Sequence, residues 1–210
     1  MNILAISLSG KGFVSYKGRK TLSGICKQYV DGPVHVTKEG IVGDFQADQK
    51  NHGGIDKAVY AYAVENYRYW EQELGKELPF GQFGENLAVS GMTDELVHIG
   101  DIFRMGALEV QVTQPRVPCF KLGMRMEDEA FVGRFHFSGR VGFYLRVLKE
   151  GQLSPGDAIE RLHMDTVQLS IRDAMLALNK NPRQQEIIAL ALEVPALSLA
   201  WRESLKKKQK

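Results

Sequence analysis

Cysteine, charge imbalance and long hydrophobic runs are all scarce in this chain. Its 210 residues include two cysteines, Cys26 and Cys119, and 27 basic side chains nearly balance 25 acidic ones. So few cysteines exclude a disulfide-built secreted scaffold. No apolar run is long enough to cross a membrane, and the opening residues do not have the pattern of a signal peptide. We therefore expect a cytoplasmic protein without a membrane partner, and the net charge does not by itself indicate nucleic-acid binding.

Short apolar segments separated by glycine turns dominate the first 164 residues. Strand patterns occur at 3–8, 34–37, 58–62, 98–104, 108–113 and 142–148, whereas Tyr67, Trp70 and Leu74 recur at helical spacing before Gly75. Gly-Asp pairs at 100–101 and 156–157 suggest equivalent corners where a sheet curls on itself. The pattern predicts a mainly β protein with some α-helix, and it favours a β-barrel over a parallel α/β layout.

The pattern changes after residue 164. Apolar residues at helical spacing begin with Val167 and Ile171, and Pro195 is expected to open a last helix. We therefore predict a domain at 1–164 and a three-helix domain at 165–210. A helix-turn-helix DNA binder is the alternative, but four of the eight basic residues in 165–210 lie in the terminal lysine tail, against five acidic residues overall. The helices themselves therefore lack the basic face that DNA binding requires.

The segment around Cys119 has an unusual composition. Pro115 and Pro118 restrict the backbone on both sides of Arg116, so this stretch cannot pair like a central strand. Arg116 and Lys121 would favour the thiolate of Cys119, whose unperturbed pKa is about 8.5, and would also attract an anion. The segment therefore predicts a presented thiol that binds a metal or carries sulfur, and a buried, inert cysteine is the alternative.

Two glycine-rich stretches offer further ligand-binding groups. Gly53 and Gly54 allow close backbone approach, and His52, Asp56 and Lys57 flank them. In the second stretch, Glu85 and Asn86 lie where a loop enters a strand. These side chains could bind a ligand or only the backbone of their own turns.

Four of these stretches together resemble the MOSC family, named after the molybdenum cofactor sulfurase C-terminal domain. They are NHGGIDKAV at 51–59, FGENL at 83–87, PRVPCFK at 115–121 and GRVGFYLRV at 139–147. More narrowly, the chain resembles the YiiM-like branch, in which a MOSC β-barrel is followed by a small three-helix domain. The resemblance covers nearly the whole chain.

The resemblance implies a molybdenum-cofactor (molybdopterin) enzyme that reduces N-hydroxylated compounds such as 6-N-hydroxylaminopurine. Cys119 would be the molybdenum ligand, since a thiolate is a soft ligand suited to such a metal. His52 or Asp56 would relay a proton, and Lys57, Arg116 and Lys121 would hold the pterin phosphate. The remaining cofactor contacts would come from Gly53, Gly54, Glu85 and Asn86. No flavin or nicotinamide fingerprint is present, so electrons would come from a separate flavoprotein or iron–sulfur reductase; a homodimer is allowed.

Two other functions use the same residues. A sulfur carrier would hold a persulfide on Cys119 without bound molybdenum. A binding module would carry or sense the cofactor without turnover. A measurement of metal and pterin content distinguishes the sulfur carrier from the reductase. A measurement of turnover distinguishes the reductase from the binding module.

Overall fold

The computed structural model describes residues 1–47 and 53–209. In these ranges the chain forms thirteen strands, six α-helices and a short 3-10 helix at Ile55–Lys57. The strands are β1 (Asn2–Leu8), β2 (Phe13–Tyr16), β3 (Arg19–Leu22), β4 (Gln28–Tyr29), β5 (Val34–Thr37), β6 (Gly40–Ile41), β7 (Val59–Ala63), β8 (Leu87–Ser90), β9 (Ile102–Met105), β10 (Leu108–Pro115), β11 (Phe143–Lys149), β12 (Gly151–Leu153) and β13 (Ile159–His163). The helices are α1 (Val64–Leu74), α2 (Phe120–Met126), α3 (Phe131–Ser138), α4 (Ile171–Leu176), α5 (Gln184–Glu193) and α6 (Leu199–Lys206). The predicted mainly β class with α-helices is confirmed.

The main sheet has eight strands in the order β13-β9-β10-β11-β7-β8-β1-β4. Only the β7–β8 pair is parallel among these neighbours, as expected for two strands joined through helix α1. The sheet is not closed, since β13 and β4 are its end members, and the predicted barrel is therefore not shown. The start of β1 also contacts the turn before β13: the Ile3 amide donates to the Asp157 carbonyl at 2.9 Å, and the Ile159 amide donates to the Met1 carbonyl at 2.9 Å.

The two Gly-Asp pairs form the same turn, as predicted. The φ angles of Gly100 and Gly156 are +98° and +92°, a region that favours glycine. In the first turn the Asp101 carboxylate accepts from the His98 amide at 3.1 Å, and in the second the Asp157 carboxylate accepts from the Ser154 amide at 2.8 Å. The strand predicted at 98–104 therefore begins later, at Ile102, because its first residues form this turn.

Helix α1 has the predicted amphipathic pattern. It buries Tyr67 and Trp70 against the sheet and ends at Gly75, which adopts the left-handed conformation with φ 64°. This φ costs a residue with a Cβ atom more than it costs glycine, so the sequence marks the end of the helix.

The three C-terminal helices are present, but the last begins later than predicted. Ser198, not Pro195, caps α6: its hydroxyl accepts from the Trp201 amide at 3.2 Å. The same hydroxyl donates to Gln114 of β10 at 2.6 Å, so the cap also attaches the helix to the sheet. Buried apolar residues of the helices and of the sheet belong to one continuous core. The division at residue 164 stays a prediction.

Two regions contain elements that the sequence analysis did not predict. Residues 13–22 form the β2–β3 hairpin, and the chain after Cys119 folds as α2 and α3. These helices have only seven and eight residues, too few for a clear periodic pattern. In the part of the chain that the structure describes, no helix has the length and apolar character to span a membrane.

Candidate functional site

A pocket of about 100 Å³ is lined by strands β7 and β11, by loops within 23–27, 44–47 and 83–86, and by the segment after β10. Its wall thus combines residues that are far apart in the chain, from residue 23 to residue 144. The polar and ionisable residues that line it are Ser23, Lys27, Asp44, Gln46, Lys57, Tyr60, Asn86, Arg116, Cys119, Lys121 and Tyr144. The pocket thus brings together five residues singled out in the sequence: Lys57, Asn86, Arg116, Cys119 and Lys121.

Cys119 is held at the wall by the elements on either side of it. Strand β10 ends at Pro115, the residues 116–119 belong to no strand, and Cys119 is the N-cap of α2 with an extended backbone. Its carbonyl accepts from the Leu122 amide at 2.9 Å, and its side chain is partly exposed. The proline-flanked segment therefore presents the thiol to the pocket instead of placing it in the core.

Arg116 is a buried cation with unused hydrogen-bonding capacity. The residue is 6% exposed, its guanidinium lies over the rings of Tyr60 and Phe135, and Nη2 donates to the Phe83 carbonyl at 3.5 Å. Its buried Nη1 has no hydrogen-bond partner among residues 1–47 and 53–209. A buried guanidinium N–H without an acceptor is costly, so the site suits a ligand that supplies one, such as an anion.

A second buried cation lies on the same wall. Lys27 Nζ donates to the two carboxylate oxygens of Asp44 at 2.6 and 2.7 Å, and both side chains are almost fully buried. Burial lowers the pKa of Lys27, and the Asp44 carboxylate acts in the opposite direction. The carboxylate also accepts from the Ser9 amide at 2.9 Å and from Asn86 Nδ2 at 2.9 Å. This network joins three loops around the pocket.

Two tyrosines complete the lining. The Tyr60 hydroxyl donates to the Val141 carbonyl at 2.8 Å, so its proton is engaged away from the pocket. Burial raises the pKa of Tyr60 well above its usual value, against the effect of Arg116. Burial likewise raises the pKa of Tyr144, and the charge of Cys119 adds to this shift while Arg116 opposes it. At neutral pH both phenols therefore stay protonated and serve as polar, uncharged groups.

Asp56 is not in the pocket lining, although it adjoins Lys57 in the chain. Its Oδ1 accepts from Arg146 Nε and Nη2 at 2.8 and 2.6 Å, and Oδ2 accepts from the Leu199 amide at 3.2 Å. These contacts link the 3-10 helix to β11 and to the start of α6. The carboxylate predicted to relay a proton is thus engaged in an ion pair that holds the C-terminal helices.

The described residues include part of the glycine-rich loop, from Gly53 onward. His52, the other predicted proton relay, lies outside the described residues. Gly54 has φ +89°, a region that favours glycine, and an added Cβ would meet nothing within 4 Å among residues 1–47 and 53–209. Gly53 and Gly54 are absent from the pocket lining in the described part of the chain.

Glu85, predicted as a cofactor contact, accepts hydrogen bonds from its own loop and from helix α1. It is fully buried, and its oxygens accept from the Tyr67 hydroxyl, from the Gly81 amide at 2.6 Å and from the Phe83 amide at 3.1 Å. Burial raises the pKa of Glu85, and these hydrogen bonds lower it in part. The residue shapes the loop behind the pocket, as the alternative interpretation of its turn anticipated.

The charge and donor set of the pocket fit an anionic cofactor that bears a soft metal. Four cations, Lys27, Lys57, Arg116 and Lys121, face one carboxylate, and a thiol lies among them. Cationic N–H donors suit phosphate, and thiolate sulfur suits a soft metal. Within the described ranges, no group of three or more His, Cys, Asp and Glu residues could hold a metal ion.

Sequence reasoning missed Lys27, Asp44 and the two tyrosines. Asp44 directly follows a glycine, which is its only local signal. Lys27 has no local signal, because its partner is 17 residues away and is brought close by the pairing of other strands.

Comparison with known proteins gives the same family that the four sequence motifs resemble. The MOSC domain model matches residues 48–160, which is just over half of the chain. The uncharacterized protein YflK of Bacillus subtilis is 39% identical over 99% of this chain and 94% of its own length. YiiM of Escherichia coli is 33% identical over 89% of this chain and 84% of its own. A Gibberella moniliformis protein named "Reductase" is 34% identical over 87% of this chain, which spans only 33% of that longer protein.

The fold agrees with a solved structure of the same group. The crystal structure of YiiM from Geobacillus stearothermophilus superimposes with a TM-score of 0.83 at 32% identity, and the match covers 100% of this chain and 99% of that one. The predicted resemblance is thus confirmed by sequence and by fold: the chain belongs to the MOSC domain family.

Proposed function

We propose that this protein binds a molybdenum cofactor and reduces N-hydroxylated compounds, 6-N-hydroxylaminopurine among them, with Cys119 as the metal ligand. The observation that carries the proposal is the pocket in which a presented thiol lies beside a buried guanidinium with an unused N–H. The fungal relative named "Reductase" supports an enzymatic role for this kind of domain.

The cations of the pocket bind the anionic part of the cofactor. Arg116 offers Nη1 from a buried position, and Lys57 and Lys121 add charge at the wall. Asn86 is held by Asp44, so the loop that carries it keeps a fixed position. A cationic wall of this kind would hold a phosphate group, and Cys119 would be the metal ligand.

The reaction takes up two electrons and two protons: R–NHOH becomes R–NH2 and water as the N–O bond breaks. When bound, the cofactor supplies two-electron redox chemistry at its metal. The electrons come from a separate flavoprotein or iron–sulfur reductase in the cytoplasm. His52 remains our proposed proton relay, whereas we assign Asp56 a structural role because its carboxylate is engaged by Arg146.

Metal content tests the cofactor assignment before any turnover is measured. Molybdenum and pterin are quantified in wild type, Cys119→Ser and the matched control Cys26→Ser, all purified from a host that makes the cofactor. We expect near-stoichiometric molybdenum in wild type and in the control, with a strong loss in Cys119→Ser. Arg116→Ala and Lys57→Ala should lower pterin content, and unchanged content in both would contradict the anion site.

Turnover then distinguishes the reductase from the alternatives. Wild type should reduce 6-N-hydroxylaminopurine with a reduced viologen dye as the electron source, and Cys119→Ser should not. Bound cofactor without turnover would indicate a carrier or sensor. Absence of molybdenum together with a persulfide on Cys119 by mass spectrometry would indicate a sulfur carrier instead.

A further inference from the structure

The β2–β3 hairpin carries a concentration of positive charge that the pocket does not use. Residues 1–30 contain five basic side chains and no acidic one. Four of these cations, Lys11, Lys17, Arg19 and Lys20, lie in or beside the hairpin and are exposed. Such a one-signed patch attracts an oppositely charged partner over several ångströms at low salt.

Apolar rings are exposed in the middle of this charge. Phe13 of β2 is 53% exposed and Phe120 of α2 is 50% exposed. Lys20 Nζ lies 4.6 Å from the centre of the Phe13 ring, and the Arg19 guanidinium lies 5.7 Å from that of Phe120. We call these four residues the hairpin surface. An aromatic centre with cations around it is the composition of a protein-docking surface.

The hairpin surface lies next to the proposed metal ligand. Helix α2 packs against β2, and Phe120 directly follows Cys119 in the chain. A protein bound to the hairpin surface would therefore stand beside the pocket wall that presents the thiol. Short separation favours electron transfer, so this position suits a redox partner.

The acidic side chains near the hairpin surface do not neutralise its positive charge. Glu129 forms an exposed ion pair with Lys17 at 3.5 Å, and Asp128 is paired with Arg134. Exposed pairs of this kind are weak, because solvent and salt screen their charges. Arg19 and Lys20, which border the rings, have no acidic partner within ion-pair distance among the described residues.

We propose that the hairpin surface is the docking site for an acidic electron-transfer protein of the flavodoxin or ferredoxin type. The inference rests on the proposed function, which requires two electrons per turnover from outside the chain. The carrier supplies them as one flavin hydroquinone or as two reduced iron–sulfur clusters, and it is oxidised as the N–O bond is reduced. A lipid or nucleic-acid partner would account for the charge but not for the position beside Cys119.

The test uses the whole chain with its cofactor and two acidic carriers as probes, a bacterial flavodoxin and a [2Fe–2S] ferredoxin. The variant Arg19→Glu/Lys20→Glu reverses two exposed charges, and Arg19→Gln/Lys20→Gln removes them. Lys207→Glu/Lys208→Glu is the matched control, because it makes the same change at the exposed end of the C-terminal helix. Affinity is measured by calorimetry at low and high ionic strength, and turnover is measured with each carrier and with the viologen dye.

We expect wild type to bind one of the carriers, the charge-reversal variant to bind it roughly tenfold or more weakly, and the neutral variant to be intermediate. The difference should shrink at about 0.5 M salt because charges at the surface are screened. Viologen-driven turnover should be the same in all variants and in the control. Its absence in wild type would contradict the proposed function, and the docking site would fall with it.

Other outcomes overturn the docking site while the proposed function stands. These are normal viologen turnover with no binding of either carrier, equal carrier affinity in wild type and charge-reversal variant, or the same loss in the control. If the hairpin variants lose affinity for phosphatidylserine vesicles or duplex DNA but not for a carrier, the surface serves a lipid or nucleic acid, and the proposal is wrong.

Discussion

Removing Lys27 from its buried pair should destabilise the protein more than removing the charge of both partners. Lys27 Nζ lies 2.6 Å from Asp44 Oδ1, and the two side chains are 7% and 5% exposed. At an effective dielectric constant of about 20, the attraction at that distance is roughly 6 kcal/mol. The desolvation of each buried ion, several kcal/mol, opposes it. The intact pair therefore contributes little net stability, but a single unpaired charge is costly.

We expect Lys27→Met to lower the free energy of unfolding by about 3–5 kcal/mol, because it leaves the Asp44 carboxylate buried without its ion-pair partner. The double variant Lys27→Met/Asp44→Asn should lose only about 1–3 kcal/mol. The asparagine at position 44 is uncharged. The Ser9 amide and Asn86 Nδ2 bind different carboxylate oxygens of Asp44, and an asparagine side chain has one oxygen, so one of these two hydrogen bonds is lost. The double variant should thus be more stable than the single one.

Urea unfolding followed by circular dichroism measures these differences. Lys17→Met is the control, because its ion pair with Glu129 at 3.5 Å is 65% and 71% exposed and should contribute little to stability. A double variant that is no more stable than Lys27→Met would refute the reasoning, since the cost would then not come from the unpaired carboxylate.

Three further predictions concern backbone space, pH and the Asp56 ion pair. Gly142→Ala should destabilise by about 3 kcal/mol or more on urea unfolding, because φ is +70° and a Cβ would stand 2.5 Å from a carbonyl oxygen. Gly54→Ala, with φ +89° but no described atom within 4 Å of the added Cβ, should cost less, about 1–3 kcal/mol from backbone strain alone, and equal losses would contradict this. Burial raises the pKa of Asp94 from 3.8 to about 6, so folding favours the protonated acid; its stabilisation is complete below pH ~4 and is lost as the pH rises through 6. Relative to Asp94→Asn, the unfolding free energy of wild type should therefore fall by about 3 kcal/mol from pH ~3 to ~7, and an equal pH dependence of the two proteins would refute this. Asp56→Asn should lower stability by about 1–3 kcal/mol through its contact with Arg146 and leave viologen-driven turnover unchanged; lost turnover at unchanged stability would restore a catalytic role.

Local sequence pattern determined the elements with strong periodicity or a required backbone conformation. The alternation at residues 34–37 predicted β5 with the bounds that the structure has. Helix α1 ends at Gly75 and the Gly-Asp corners form the same turn, because in each case a glycine adopts a positive φ. Such signals are local: the side chains and backbone that determine them lie within a few residues of one another.

Motif residues also indicated part of the pocket. Cys119, Arg116 and Lys121 share one short segment, so their proximity could be predicted without knowledge of the fold. Lys57 and Asn86 belong to other motifs, and they reach the same pocket because β7 and β8 are neighbours in the sheet. The sequence thus indicated the chemistry of the site, and strand order decided which motifs contribute to it.

Tertiary structure alone decided the partners of the remaining charged residues. Asp56 and Lys57 are adjacent in sequence, yet the carboxylate pairs with Arg146 beside α6 while the lysine lines the pocket. Lys27 and Asp44 form a buried pair across two loops that only sheet formation brings together. A buried charge needs a partner, but which one it finds depends on distant strands, so no local pattern could have predicted these contacts.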